Sequence, residues 1–485
     1  MLRRKQANTP QIVAMETAVT DKIYEDTSAH DEQKIEFLRK LPEFVPSLKE
    51  GPRAGDNIMM LAEDMDHALI SFAVEKGWID ASAIDETNAE LTAKQVELAA
   101  QQIFGECIMK AGGSLANSFD AMVHSTIAGK SLVDGTFITA VGNDAAGDVF
   151  VDSLQGHIAA TKRGRSMVAH VIPLPGNDRV IIATPSRDNP SDKYIDQHHL
   201  MSDEILNANT DMVMLGGYLN FVPHFQGLFN TALARIEQLN EQRAELGKPK
   251  IKLVLTAASQ TVAQNPDYQA MFQKACNITD VIVHANTGEF RRLLGNDTQW
   301  REPHEHKWQD GDGAALTGHA LEEAKKADAD YQAAKAAANK DTIDRFAVPL
   351  AQQLNEAGNH LSFVVTNGSK GTYVVDANGA REHGVAKIDP STIVNTVGAG
   401  DNFAAGYDLG VALGQSEQRS IELARSFAGA AIQQDAPRLD ASMSKHYSGI
   451  FAKAELGGAL CVLNETPQNT ALLMDIKPQT EKQRA

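Results

Sequence analysis

The segment Asn395-Thr-Val-Gly-Ala-Gly-Asp401 joins two glycines and a carboxylate to a small-and-apolar helical pattern that runs to about Leu413. Gly398 and Gly400 carry no side chain, so the backbone can turn sharply there. Together with Ala399 they can bring their amides close to a ligand. Amides at a helix start, reinforced by the helix dipole, form an anion site suited to charge developing on a transferred phosphoryl group. Asp401 stands at the same end, where its carboxylate can accept a proton from an attacking hydroxyl. A glycine turn capped by an aspartate has the same local form in many proteins. Taken alone, the segment leaves a purely structural role open.

A site of this kind needs a rigid scaffold. Several short apolar runs end abruptly in Gly, Asn, Thr or Ser: Asp211-Met-Val-Met-Leu-Gly-Gly, Lys252-Leu-Val-Leu-Thr, Asp280-Val-Ile-Val-His-Ala-Asn and Phe363-Val-Val-Thr-Asn-Gly. Runs of roughly four to six apolar, often β-branched residues suit strands buried on both faces. Thr231 to Leu246 and Pro349 to Ala357 have helix-forming composition. Strand alternating with helix predicts an α/β fold: a central, mostly parallel sheet flanked by helices. Ligands in such sheets sit beyond the carboxyl ends of the strands. The polar residues just quoted fall there.

Between about Ser166 and Ile182 the texture changes. Val168-Ala-His-Val-Ile and Arg179-Val-Ile-Ile-Ala flank the turn residues Leu174-Pro-Gly-Asn-Asp, which predicts a hairpin in a small β lid. Two stretches, about 31–106 and 296–344, read as largely helical insertions in a single domain over 1–485. The second contains the Ala- and Lys-rich run Ala320 to Lys340, which suits a solvated surface helix. The tail after about Glu465 is polar and expected to be loose. The sequence shows no internal repeat.

Forty-five Lys and Arg against 63 Asp and Glu leave a formal charge of −18, which disfavours a nucleic-acid groove as the main task. The 43% hydrophobic and 22% charged residues are ordinary for a soluble globular enzyme. Cys107, Cys276 and Cys461 form no CxxC pair and no disulfide framework. The basic start Met1-Leu-Arg-Arg-Lys-Gln is followed by no apolar stretch of signal-peptide length, and no window reaches the roughly 20 apolar residues of a membrane span. A cytoplasmic protein with no membrane or nucleic-acid partner is expected.

Asn395 to Asp401 resembles the Asp-Thr-x-Gly-Ala-Gly-Asp segment of the ribokinase-like (PfkB) kinases. Other motifs of that family follow the expected order. Gly112-Gly-Ser-Leu-Ala-Asn117 is similar to Gly-Gly-x-x-x-Asn, and Gly142-Asn-Asp-Ala-Ala-Gly147 to Gly-x-Asp-x-x-Gly. Asn286-Thr-Gly-Glu289 is similar to Asn-x-x-Glu, and Thr366-Asn-Gly-Ser-Lys-Gly371 to Thr-x-Gly-x-x-Gly. Five short motifs in order over about residues 110 to 415 are far more specific than any one of them, and the long insertions lie outside the match.

The resemblance implies an ATP- and magnesium-dependent kinase with a small-molecule nucleoside or sugar as partner; a homodimer is a candidate assembly on which the sequence itself is silent. Asp401 would be the base, and the amides of Gly398, Ala399 and Gly400 the anion site. Gly112 and Gly113 let backbone approach a sugar ring, and Asn117 has either hydroxyls or the cap of its own helix as partners. Asn286 and Glu289 would hold magnesium through its waters, or simply start a surface helix. Thr366, Gly368 and Gly371 would approach the nucleotide, a role compatible with a tight turn before Thr372. Arg179, at the tip of the predicted hairpin, suits either a lid arginine closing over phosphates or a solvated turn. Asp21 corresponds to an early substrate-binding aspartate of the family.

Asn395 replaces the family's usual first aspartate, which puts its monovalent-cation site in doubt. Inosine-guanosine kinases resemble this chain in that asparagine and in a late Pro437-Arg438-Leu439, and adenosine kinases in Gly-Gly-Ser-x-x-Asn-Ser. A purine nucleoside is therefore favoured over a sugar as acceptor, with a fructose- or ribose-type kinase as the alternative. A binding protein that has kept the fold would have no need of Asp401 and its glycines. Ala128-Gly-Lys130-Ser131 imitates the end of a P-loop, but His124 stands where the first glycine is needed. His304-Glu-His306 and His198-His199 lack further metal ligands.

Overall fold

The computed structural model describes residues 9–25, 28–48, 51–52, 57–84, 88–127, 130–154, 156–175, 178–222, 224–295, 318–394 and 396–434. Asn395, Gly176 with Asn177, residues 296–317 with their two histidines, and everything from 435 onward, including Pro437-Arg438-Leu439, lie outside them.

The chain runs through β1 (Gln11–Met15), β2 (Val19–Tyr24), α1 (Asp31–Phe44), β3 (Asn57–Met59), α2 (Ala62–Glu75) and α3 (Ala89–Phe104). Next come β4 (Cys107–Gly112), α4 (Ser114–Val123), the short β5 (Thr126–Ile127) and β6 (Lys130–Ser131), β7 (Asp134–Val141), α5 (Ala145–Ser153), β8 (Ile158–Lys162), β9 (Met167–Leu174) and β10 (Asp178–Thr184). Then follow α6 (His198–Met201), β11 (Thr210–Leu215), α7 (Phe225–Glu245), β12 (Lys252–Thr256), α8 (Gln260–Ala263), α9 (Pro266–Ile278), β13 (Asp280–Asn286) and α10 (Thr287–Leu293). The last elements are α11 (Gly318–Thr342), α12 (Val348–Glu356), β14 (Leu361–Thr366), β15 (Thr372–Asp376), β16 (Gly379–His383), α13 (Ala399–Ala412) and α14 (Glu417–Ala431). Two compact units result, the first built from Met1–Ala14, Asn117–Gly135 and Leu200–Ala485, the second from Met15–Ala116 and Thr136–His199.

Seven of the nine strands of the large sheet belong to the first unit, in the order β16-β15-β14-β13-β12-β11-β1. β11 to β14 pair in parallel, with Leu215 opposite Leu255, Thr256 opposite His284 and Asn286 opposite Thr366. Their Val, Leu and Ile side chains are buried almost throughout, as strands covered on both faces require. The β14-β15-β16 edge is antiparallel. Helix starts follow their capping chemistry: Asn265 accepts from the amides of Asp267 and Tyr268, with Pro266 at the first helical position. Helix α7 begins at Phe225, six residues before the expected start. Packing of α13 on α14 depends on small residues, since a Cβ at Gly406 would lie 2.7 Å from Ala424 and one at Gly410 2.5 Å from Ser420.

The second unit holds the parallel pair β7–β8 and a five-stranded sheet, β3-β10-β9-β2-β4. The predicted hairpin is β9–β10, joined antiparallel from Leu174–Asp178 to Val168–Thr184. Residues 31–106 supply three helices and also a strand, β3, which pairs in parallel with β10. Phe37, Leu41, Phe72 and Phe104 from the helices pack with Tyr24, Ile172, Val180 and Ile182 from the strands, so these helices complete the core of the sheet. His170 lies inside that core. Burial lowers it to about 3, so it is neutral at pH 7, and its Nδ1 pairs with the Tyr24 hydroxyl at 2.8 Å. Strand alternation puts Val19 and Asp21 on the face opposite Tyr24, where Val19 joins the small cluster of Met167 and Ala169. No helix among the described residues is long and apolar enough to cross a membrane.

Candidate active site

Asp401 is the third residue of α13, whose N-cap is Gly398 with φ of 74°. A side chain at 398 would strain this left-handed turn, whereas glycine adopts it freely. Apart from its chain neighbours and the backbone of its own helix, no described atom lies within 4 Å of where a side chain at Gly400 would begin. Within the first turn the Asn402 amide donates to the Gly398 carbonyl at 2.9 Å and the Ala399 amide lies 3.4 Å from the Thr396 carbonyl; a helix start of this kind is where an anion can be received. The buried Asn402 side chain also donates from Nδ2 to the Gly398 carbonyl at 2.8 Å and closes the turn.

Asn117 is the fourth residue of α4, so it does not cap that helix. It is 3% exposed, and its Nδ2 donates to Asp401 Oδ2 at 2.9 Å. The neighbouring Ser118 donates from Oγ to the Asp401 carbonyl at 2.7 Å. Two adjacent residues of α4 thus fix both the side chain and the backbone of the candidate base. Ser118 closes the Gly-Gly-Ser-x-x-Asn-Ser pattern of the sequence, which gave it no role of its own.

Asn286 ends β13 and caps α10. Its Oδ1 accepts from the amides of Gly288 (2.9 Å) and Glu289 (3.0 Å), while Glu289 Oε2 accepts from the Asn286 amide at 2.8 Å. This reciprocal capping box gives Asn286 the helix-starting role and turns its side-chain oxygen toward the helix. No group of three His, Cys, Asp or Glu among the described residues is placed to hold a metal. The donors therefore do not fit a protein cage. A magnesium ion carried mainly by phosphate and water would need only a carboxylate such as that of Glu289 from the protein. Asn286 pairs directly with Thr366 on β14, so the two motifs are neighbours at the carboxyl ends of adjacent strands.

Thr366 to Gly371 is the tight turn into β15, with a single 3-10 turn at Gly368–Lys370. Gly368 has φ of 54° and an exposed, open position. Gly371 has φ of 111°, and a Cβ there would sit 2.2 Å from the His383 carbonyl. Gly371→Ala should accordingly lose about 3 kcal/mol of stability, read as an early midpoint in urea unfolding. Gly368→Ala, strained but unobstructed, should lose about 1 kcal/mol.

In the second unit Asp21, 8% exposed in β2, lies beside β4. A Cβ on Gly112 would fall 2.3 Å from its carboxylate atoms, so Gly112 exists to leave that carboxylate room. Gly113 has φ of 91° and opens directly into α4. The buried Glu16 accepts from the Leu115 amide at 3.0 Å and caps α4, a role the sequence reading missed. A charged residue ending the apolar run Ile12-Val-Ala-Met was the available signal. The Gly142–Gly147 motif is a knot of its own. Asp144 accepts from Gly147 and Ser166 amides, both at 2.8 Å, and side chains at Gly142 or Gly147 would collide with backbone. Arg179 is not at a tip: it is the second residue of β10, opposite Pro173 and partly buried.

Helix α13 is also tied to β13. His284 Nε2 and Asp408 Oδ1 are 2.8 Å apart, and burial holds the Asp408 carboxyl above the usual carboxylate range while His284 pulls it the other way.

The model of the pfkB family carbohydrate kinases matches residues 330–442, which include both the Thr366–Gly371 turn and the start of α13. Adenosine kinase of Saccharomyces cerevisiae is 36% identical over 74 residues, a match spanning 15% of this chain and 22% of that enzyme's length. Adenosine kinase from Sinorhizobium meliloti superposes with a TM-score of 0.55 at 15% identity, covering 90% of this chain and 98% of that one. Anopheles gambiae adenosine kinase gives 0.53 at 15% identity over 88% and 96% of the two chains. A "probable sugar kinase protein" from Rhizobium etli CFN 42 gives 0.52 at 16% identity over 91% and 99%. At such identities the solved structures establish the α/β ribokinase-like fold, and the family match covers residues 330–442, from α11 to beyond α14.

Proposed function

We propose that this chain transfers the γ-phosphoryl group of ATP to an alcohol hydroxyl, and that a purine nucleoside supplies that hydroxyl. The observation that carries the reading is the placement of Asp401. It stands on the first turn of α13 behind a left-handed Gly398, with Asn117 donating to one of its carboxylate oxygens. As the acceptor oxygen bonds to the γ-phosphorus, its proton passes to Asp401. The bond from that phosphorus to the β–γ bridging oxygen breaks, and ADP leaves. The amides of Gly398, Ala399 and Gly400 stabilise charge on the transferring group. Asp21, given room by Gly112, accepts from acceptor hydroxyls, and the turn at Thr366, Gly368 and Gly371 lies against the nucleotide. Magnesium would neutralise phosphate charge, with Glu289 holding one of its waters and Asn286 orienting Glu289.

A purine nucleoside is favoured by the Gly112-Gly-Ser-Leu-Ala-Asn-Ser sequence and by the 36% identity to an adenosine kinase over 74 residues. A panel of inosine, guanosine, adenosine, ribose and fructose with ATP and magnesium tests the assignment. Turnover is expected with a purine nucleoside. Turnover with ribose or fructose alone would make the chain a sugar kinase, and absence of transfer to any of them would remove the proposal.

Glu289→Gln keeps the acceptor oxygen that the capping box needs but removes the charge. It should raise the magnesium concentration for half-maximal rate about 10-fold at fixed ATP, with little change in acceptor KM. An unaltered magnesium titration would detach Glu289 from the ion.

A further inference from the structure

His284 and Asp408 have no part in the chemistry above. His284 is 8% exposed in β13, two residues before Asn286, and Asp408 is fully buried in α13, seven residues after Asp401. Besides the 2.8 Å contact between them, the Tyr407 ring stands edge-on to the imidazole, with centroids 5.8 Å apart and planes at 80°. The second oxygen of Asp408, Oδ2, is buried and has no hydrogen-bond partner among the described residues.

Stability alone would not select this contact. Apart from Asn402, its buried neighbours on α13 are Phe, Ala, Gly, Tyr and Leu. An apolar pair of similar volume is generally as stable as a buried ion pair or more so, and a carboxylate oxygen left without a donor is costly. What the polar pair adds is direction. Leucine slides along a neighbour at little cost, whereas a hydrogen bond of this length tolerates neither slip nor rotation. Helical periodicity identifies what is held: seven residues are close to two turns, so Asp401 and Asp408 share one face of α13, about 10 Å apart along the axis. On β13, His284 and Asn286 project to one face of the sheet.

We propose that the His284–Asp408 pair is a positioning element that fixes the axial register of α13 against β13, and thereby the place of Asp401 relative to the magnesium motif. Its kinetic consequence rests on the phosphotransfer reading; its structural consequence does not. The test compares wild type with His284→Leu/Asp408→Leu and with Asp408→Asn, which can still accept from His284. The double variant should melt close to wild type, yet lose at least about 10-fold in kcat with acceptor KM within about threefold. Its amides over residues 399–404 should exchange with deuterium at least about 10-fold faster. Asp408→Asn should recover most of both. A folded double variant with wild-type kcat and exchange would overturn the proposal. Should the double variant not fold, Asp408→Ala is read in the same two assays with the same criteria. If wild type transfers phosphate to no acceptor, the functional reading fails by itself, and the exchange comparison still decides the positioning role.

Discussion

Asp401→Asn lowers kcat by about 1,000-fold, the scale expected when a positioned general base is removed, while acceptor KM changes by less than about threefold. The substitution keeps size and shape. An asparagine oxygen at 401 can still accept from Asn117 Nδ2, now 2.9 Å from Asp401 Oδ2, and the backbone carbonyl still accepts from Ser118 Oγ. Loss of a negative charge in the first turn of α13 weakens the helix by roughly 0.5 kcal/mol through the dipole, too little to unfold the protein. A rate lost with the melting temperature nearly unchanged therefore reports chemistry, not folding. Steady-state kinetics beside a thermal melt make the measurement. If the variant turns over as fast as wild type, Asp401 is not the base and the helix tip is only an anion site or a cap.

The parts of this arrangement that were legible in the sequence share a property: they are encoded within a few residues. The runs at 211–215, 252–256, 280–286 and 363–366 are buried on both faces, so unbroken apolar stretches announced β11 to β14. The α13 tip was legible because two glycines and an aspartate are needed side by side. The second unit was harder. In β4, the short apolar run Cys107-Ile-Met is exposed, so its sequence pattern does not match its burial. Residues 31–106 looked like an insertion because the apolar sides of α1 to α3 have their partners in β2, β9 and β10, far along the chain. The same limit applies to the site. Asn117 was recognisable by type, but its contact with Asp401 spans 284 residues, and the His284–Asp408 contact spans 124. Asn286, weighed as a magnesium residue or a helix start, caps α10, and Asn117, weighed as a substrate residue or a cap, lies inside α4 against Asp401.

Gly112→Ala raises the acceptor KM by about 10- to 100-fold and leaves kcat within a few-fold of wild type. The added Cβ would begin 2.3 Å from the Asp21 carboxylate carbon and both of its oxygens. Gly112 has no positive φ, so the methyl group brings no backbone strain, and its whole effect falls on Asp21. At 8% exposure Asp21 has little space into which to swing, so its carboxylate is displaced from its binding position. A charged hydrogen bond lost in this way costs about 1.5–3 kcal/mol, which sets the expected rise in KM. Clash and ligand loss separate in a double-mutant cycle. Asp21→Ala should raise KM to a similar level, and Gly112→Ala/Asp21→Ala should be no worse than Asp21→Ala alone, because the methyl group then has nothing to displace. Additive losses would mean that Gly112 serves the acceptor by itself and that Asp21 is a strand residue with no part in binding.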